Sequence, residues 1–237
     1  MRLDLAAAST WNSKSSIQEA SDTIHDGATT PEELSNRAKG YVEGLIFGKF
    51  PEAIPSAGGD ILEIGSGLGW IMQAMNDYLG RVERSPHSVT GLDIAPNMIE
   101  MARQRVRQDQ VQGPLEFLLY DGIKVPLDSR SLDLIYSVAT LQHVPRQFVF
   151  NLFFEIKRLL KPGAASVFQL MSTSYLPKQE KWHLWRTEIT NQIMGLNTHW
   201  HHFYTAQELD DVLRITGFGD VQIFDDKEGT LVCCVRR

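Results

Sequence analysis

Short apolar runs alternate along the middle of the chain with longer stretches of helical spacing. The runs are rich in aliphatic and β-branched side chains and occupy residues 61–64, 88–94, 115–119, 132–137 and 165–170. Such runs are typical of strands in a parallel sheet that is covered on both faces. Between them, residues 70–79 and 148–160 space their apolar side chains as an amphipathic helix does. The alternation predicts an α/β fold with a mostly parallel sheet and helices on both faces.

The two ends of the chain carry different signals. Thr30 and Pro31 begin a predicted helix that runs to Phe47, because a capping hydroxyl followed by proline is a helix start. Thr205 and Glu208 form a capping box for another helix. After it, residues 221–224 and 230–235 flank a turn and predict a terminal hairpin.

The sequence ILEIGSGLGW, residues 61–70, is the pattern around which the chain is organised. A strand ending in Ile64 breaks into a turn with Gly65, Gly67 and Gly69, and a helical pattern follows. Strand, glycine turn and helix open a nucleotide-type site in an open α/β sheet, although such a turn also occurs with no ligand. A dinucleotide site would need its third glycine at position 70, where Trp70 stands, so a nicotinamide site is disfavoured.

Acidic residues follow the next two predicted strands. Asp93 lies at the end of the predicted strand 88–94. Its carboxylate can accept hydrogen bonds from the ribose hydroxyls of an adenosine ligand, or it can cap the helix that Pro96 begins. Asp121 and Gly122 follow the strand 115–119 and also suit a simple turn.

These motifs resemble those of the class I S-adenosylmethionine-dependent methyltransferases. The similarity lies in E-x-G-x-G-x-G from Glu63, in GLDIAPNMIEMAR from Gly91, and in the spacing from Asp121 to Asp133. It covers residues 60–170 specifically and 203–237 in outline. It implies a Rossmann-like seven-stranded sheet with an antiparallel C-terminal hairpin and a helical lid, and S-adenosyl-L-methionine as the cofactor.

The resemblance also implies roles for individual residues. Backbone N–H groups of the turn 65–69 would hold the methionine carboxylate, Asp93 the ribose and Asp121 the adenine amino group. The implied cofactor-binding set is Glu63, Gly65, Ser66, Gly67, Gly69, Asp93, Ile94, Met98, Asp121, Gly122 and Ser137.

Catalytic and acceptor-binding residues are expected beyond the carboxyl ends of the strands. His143 lies in the loop 138–145 and is the first candidate for a general base, because histidine takes a proton near neutral pH; packing is its alternative role. Histidines of the predicted lid are the second candidates. The residues expected around the acceptor are Trp11, Gln142, Trp200, His201 and His202. His199 and His201 lack the further ligands of a convincing metal site, so no metal is expected.

Composition and motifs limit the kinds of partner and acceptor that the protein is expected to bind. The 237 residues carry a formal net charge of −6, which disfavours nucleic acid, and no stretch approaches the ~20 apolar residues of a membrane span. Cys233 and Cys234 are adjacent and point to opposite faces of a strand, which suits a reducing cytoplasm. Ser137 to Thr140 match neither the motif of nucleic-acid amino-methylating enzymes nor the acid of metal-dependent catechol-type enzymes. A small-molecule acceptor is expected, with a monomer or homodimer as the assembly.

The sequence therefore predicts a methyltransferase that moves a methyl group to an oxygen or nitrogen of a small molecule. Residues 1–50 are predicted to form an arm and helix that cap the site, 51–170 the cofactor-binding core, 171–204 the lid, and 205–237 the helix and hairpin that complete the core. A protein or peptide acceptor and a non-catalytic binding module remain open as alternatives.

Overall fold

The computed structural model describes residues 11–24, 30–175, 183, 186, 190, 194, 201–226 and 229–237. The strands are β1 (Asp60–Ile64), β2 (Ser88–Asp93), β3 (Leu115–Leu119), β4 (Leu132–Ser137), β5 (Leu160–Ser172), β6 (Phe203–Tyr204), β7 (Asp220–Asp225) and β8 (Thr230–Arg236). The α-helices are α1 (Ile17–Ile24), α2 (Pro31–Gly40), α3 (Trp70–Arg81), α4 (Pro96–Gln108), α5 (Arg146–Leu159) and α6 (Ala206–Thr216). The strands thus follow the predicted apolar runs.

One sheet runs through the described part of the chain in the order β3-β2-β1-β4-β5-β8-β7. The pairs among β1 to β5 are parallel, whereas β8 is antiparallel to both β5 and β7. The predicted α/β fold and its terminal antiparallel hairpin are confirmed. The two-residue strand β6, which was not predicted, pairs in parallel with the end of β5 and makes the sheet eight-stranded.

Strand β5 begins earlier than the sequence predicts. Lys161, Pro162 and Gly163 form a stop signal after a helix, yet the strand runs through them. Leu160 is fully buried and pairs with Leu132, so the chain passes from helix α5 to the sheet without a connecting loop. The N–H of Gly163 donates to the carbonyl of Arg237, which keeps this end of the strand paired.

Helix α2 also differs from the prediction of one helix to Phe47. Its capping box is present, with Thr30 and Glu33 exchanging side-chain and backbone hydrogen bonds. The α-helix ends at Gly40 and continues as a π-helix over Tyr41–Ile46, where the N–H of Phe47 donates to the carbonyl of Val42. Periodicity of apolar residues does not reveal such a local change of winding.

Apolar side chains fill both faces of the sheet. One buried cluster packs the sheet against α5 and α6, with Phe153 and Leu213 among its members. The other packs it against α2, the π-helix and α3, with Ile46 and Met75 among its members. Cys233 belongs to the first cluster and Cys234 to the second, and the thiols are not bonded to each other. Burial raises the pKa of both thiols, as expected for side chains that serve as small apolar residues.

Most of the predicted lid, including Trp200, lies outside the described residues. None of the helices in the described ranges is long and apolar enough to cross a membrane.

Candidate active site

A cavity of about 320 Å³ lies at the carboxyl ends of the central parallel strands. We call one side of it the turn wall, which consists of Glu63 to Leu68 with Asp93. The opposite side is the loop wall, which consists of Val138 to Val144 with Gln169 and His201. The volume is within the range of about 300–1,000 Å³ that is usual for small-molecule sites.

The turn wall requires glycine for steric reasons. Gly65 has a φ of 76°, and a Cβ added there would come within 2.1 Å of the Thr140 Cγ2 atom. Gly69 has a φ of 78°, and a Cβ there would lie 2.8 Å from the Phe117 ring. Both positions combine a left-handed backbone with close packing, so a side chain at either would strain the turn.

The backbone N–H groups of the turn are largely used inside the protein. Those of Gly65 and Ser66 donate to the carbonyl of Leu92, at 2.7 and 3.1 Å. That of Gly67 donates to the Asp93 Oδ2 atom at 3.1 Å, and that of Gly69 to the Ser66 carbonyl at 2.8 Å. Four of the five N–H groups predicted to hold the ligand carboxylate therefore already have a partner inside the protein, and a binding role for them stays a prediction.

A buried arginine donates hydrogen bonds to two carbonyl groups of the turn. Arg105 of α4 is 2% exposed, and its Nε and Nη2 atoms donate to the carbonyls of Leu68 and Gly69, at 2.8 and 3.1 Å. Its Nη1 atom donates to Gln73 and Asp109, and its guanidinium lies 4.1 Å from the centre of the Trp70 ring. Sequence reasoning missed Arg105, although a charged residue in the apolar register of Met98, Met101 and Ala102 was a signal for it.

Asp93 sits at the end of β2 and faces the cavity. Its carboxylate accepts hydrogen bonds from the N–H groups of Gly67 and Ala95, at 3.1 and 3.0 Å. Burial raises the pKa of Asp93, and these backbone donors oppose that rise. The carboxylate thus fixes the turn wall, and it also lines the space where a ligand hydroxyl could be bound.

Glu63 is a second buried carboxyl group on the turn wall. It is 1% exposed, and the Tyr136 hydroxyl donates to its Oε2 atom at 3.2 Å. Burial raises the pKa of Glu63 well above its usual range, and the charge of Asp93 adds to that rise. Hydrogen bonds from Tyr136 and from the N–H of Met72 oppose it. Burial at this site therefore disfavours the charged form of Glu63.

Five of the predicted residues in the described ranges do not line the cavity: Gly69, Asp121, Gly122, Ser137 and His202. The Asp121 carboxylate is exposed and accepts from the N–H groups of Ile123 and Lys124, which forms a turn with Gly122. Ser137 is buried and donates to the Ile64 carbonyl, where it joins β4 to β1. Tyr120, the residue before Asp121 in the sequence, does line the cavity, and sequence reasoning missed it. The predicted Ile94 and Met98 also line it.

The loop wall carries the candidate base. Leu141 is fully buried and anchors a short 3₁₀ turn, Leu141–His143. The N–H of His202 donates to the Gln142 carbonyl at 2.7 Å, and the His143 and His201 ring centres lie 4.7 Å apart. The predicted His143, Gln142 and His201 line the cavity. His202 does not line it, and its N–H links residues 201–202 to the 3₁₀ turn.

Backbone strain is found in this wall. Ala139 has a φ of 55°, which is uncommon for a residue with a side chain, and its N–H donates to the Gln169 Oε1 atom at 3.0 Å. Such strain is often found at functional sites, because the surrounding contacts must hold it in place.

The N-terminal segment closes the cavity from a third side. Trp11 lines the cavity and packs against a buried cluster that includes Leu68 and Met98, so it both anchors the segment and faces the ligand space. Arg37 and Tyr41, from α2 and the π-helix, also line the cavity. Sequence reasoning missed these two residues, because nothing local distinguishes them from other residues of an amphipathic helix.

Unpartnered buried atoms show what the cavity could hold. Ser66 Oγ, Trp70 Nε1 and Gln142 Oε1 belong to cavity-lining residues and have no hydrogen-bond partner in the described part of the chain. Together with Glu63 and Asp93 they suit a polar, partly cationic ligand with a ring system. No group of three or more His, Cys, Asp or Glu side chains in the described ranges is arranged to hold a metal ion.

Comparisons with known proteins agree with this geometry. Residues 62–168 match a family model described as "Methyltransferase domain". A sterol 4-C-methyltransferase of Caenorhabditis elegans is 28% identical over 123 residues, which are 52% of this chain and 34% of that protein. The erythromycin 3''-O-methyltransferase of Saccharopolyspora erythraea is 29% identical over 109 residues, which are 46% of this chain and 33% of that protein. The similarity thus spans about a third of these relatives' length.

A solved structure with the same fold extends the likeness over nearly all of the chain. Phosphoethanolamine N-methyltransferase 2 of Haemonchus contortus, in complex with S-adenosyl-L-methionine, superposes with a TM-score of 0.58 at 16% identity. The superposition covers 95% of this chain and 60% of that one.

Proposed function

We propose that this chain, whose residues 62–168 match the methyltransferase-domain family model, is a class I S-adenosylmethionine-dependent methyltransferase that transfers a methyl group to an oxygen or nitrogen atom of a small molecule. The relatives act, by their names, on a sterol carbon and on an antibiotic oxygen, and the structural neighbour on an amine. The family assignment therefore does not fix the acceptor atom, and the proposal rests on this chain's own side chains.

One observation carries the proposal: a single cavity joins the turn wall, with Asp93, to His143 and His201 on the loop wall. The turn wall offers Asp93 to the ribose, and Ser66 lies beside it. The opposite wall offers an imidazole where an acceptor would enter. We therefore assign the cofactor to the turn wall and the acceptor to the loop wall.

S-adenosylmethionine, when bound, supplies a methyl group on a positively charged sulfur, and its leaving group departs neutral. The protein consequently needs no acid to assist departure, and most of the acceleration can come from holding the acceptor in line. A hydroxyl or ammonium acceptor must also lose a proton. His143 is the proposed base for that proton, since it lines the cavity and its ring packs on His201.

Calorimetry with S-adenosylmethionine, followed by a panel of small hydroxyl and amine acceptors with release of S-adenosylhomocysteine as the readout, tests the proposal. We expect heat of binding at micromolar protein and turnover with at least one acceptor class. No heat would favour a non-catalytic module that keeps the fold. Turnover with peptides alone would favour the protein-acceptor alternative.

His143→Ala should lower turnover by about 100-fold or more, the usual contribution of a general base, and leave the Kd of S-adenosylmethionine unchanged. His87→Ala is the matched control, because that histidine is exposed and lies outside the cavity lining. Wild-type turnover in His143→Ala would give His143 a packing role.

A further inference from the structure

The methionyl end of S-adenosylmethionine carries a carboxylate, and the turn wall has few donors left for it. Four of the five turn N–H groups bond inside the protein. The first turn of α3 already faces a carboxyl group, because the N–H of Met72 is directed at Glu63. A second carboxylate at the same place would meet the carboxyl oxygens of Glu63 and would have to compete with them for the Met72 N–H.

A cationic side chain lines the same cavity from outside the methyltransferase motifs. Among the described lining residues, Arg37 is the one arginine or lysine. The other lining groups able to carry a charge at neutral pH are the carboxyl groups of Glu63 and Asp93 and the rings of His143 and His201.

The fold fixes Arg37 in this position. The capping box at Thr30 sets the start of α2, and Leu34 and Ala38, at 2% and 0% exposed, hold its inner face against the core. Arg37 and Tyr41 are four residues apart, so they share one side of the helix, and both are half-buried and line the cavity. The change from α- to π-helix begins at Tyr41, and such local changes of winding are frequent at functional sites.

We propose that Arg37 binds the carboxylate of the cofactor's methionyl part. The planar guanidinium can donate two parallel hydrogen bonds to a carboxylate, which adds strength and direction. The assignment rests on the proposed function, since it takes S-adenosylmethionine as the ligand. It gives the N-terminal helix a binding role that the motifs of residues 62–168 do not contain.

The test compares two ligands that differ only in this carboxylate, S-adenosylmethionine and its decarboxylated form, by calorimetry on the full chain. Wild-type protein should bind S-adenosylmethionine about 10- to 100-fold more tightly, as expected for hydrogen bonds to a charged group. Arg37→Met should reduce that ratio at least fivefold, mainly by weakening S-adenosylmethionine. Arg37→Lys, which keeps the charge but not the paired donors, should fall between the two.

The decarboxylated ligand also reports folding, because a correctly folded variant binds it as the wild type does. Lys39→Met is the matched control, since Lys39 lies on the same helix and is exposed, and it should keep the wild-type ratio. A ratio in Arg37→Met within twofold of the wild-type ratio overturns the assignment, as does an equal loss of both ligands. Wild-type protein that binds neither ligand would refute the proposed function itself.

Discussion

The two walls of the cavity are built in opposite ways. The turn wall comes mainly from one short segment. Four of the five N–H groups of residues 65–69 bond inside the protein, and Arg105 donates to the carbonyls of Leu68 and Gly69. The loop wall is assembled from residues 138–144, Gln169 and His201, and it leaves Gln142 Oε1 without a partner in the described ranges. The backbone of a sequence motif can thus be committed mainly to holding a shape, while the side chains available to a ligand come both from the motif, as Ser66 does, and from remote segments, as Gln142 does.

Arg105→Ala is the strongest way to break this contrast. The change leaves the carbonyls of Leu68 and Gly69 without their buried donor, and it should lower the free energy of unfolding by about 3 kcal/mol. Urea denaturation measures the loss. Arg107→Ala on the same helix is the control, because that side chain is 66% exposed, and it should change stability by less than about 0.5 kcal/mol. An equal loss of unfolding free energy in the two variants would mean that the turn is stable without Arg105.

Asp93→Ala asks whether the turn wall also binds ligand. We expect S-adenosylmethionine to bind about 1.5–3 kcal/mol more weakly, the range for hydrogen bonds to a charged group. The N–H groups of Gly67 and Ala95 donate to different oxygens of Asp93, so Asp93→Asn keeps an acceptor for one of the two and should lose less affinity. Calorimetry on both variants decides the matter, and unchanged affinity in Asp93→Ala would show that the ribose assignment is wrong.

Glu63→Gln tests whether the buried carboxyl group of the turn wall makes the stability of the protein depend on pH. Because burial raises the folded-state pKa of Glu63, its contribution to stability is complete below about pH 4.5, the usual pKa of a glutamate. It is lost as pH rises through the raised folded-state value. Glutamine cannot ionise, so the stability of the variant relative to wild type should increase from pH 5 to pH 8, by at least about 1 kcal/mol for each unit of pKa shift.

Thermal unfolding across this pH range provides the measurement for Glu63→Gln. Asp93 also has a raised pKa, so the wild-type profile contains both groups and the variant removes only one of them. Tyr136→Phe is the companion variant, because it deletes the hydroxyl that donates to Glu63. Parallel pH profiles for wild type and Glu63→Gln would indicate that Glu63 stays in one protonation state throughout.

Local patterns predicted the fold well. The bounds of β3 and β4 and the start of α3 agree with the sequence, because alternation, helical spacing and the glycine break are properties of neighbouring residues. The start of β5 and the π-helix after Gly40 were not predicted. In both, tertiary packing of buried residues such as Leu160 overrides the local signal.

The features of the candidate site also divide into those that local sequence predicts and those that depend on tertiary packing. The sequence by itself determined the glycine turn and the position of Asp93 at the end of a strand, since strand and turn are encoded within a few residues. Only the tertiary structure decided that four of the turn's five N–H groups are already bonded, that the rings of His143 and His201 lie close together, and that Arg37 lines the cavity. These features depend on contacts between residues far apart in the chain, which periodicity and spacing cannot specify.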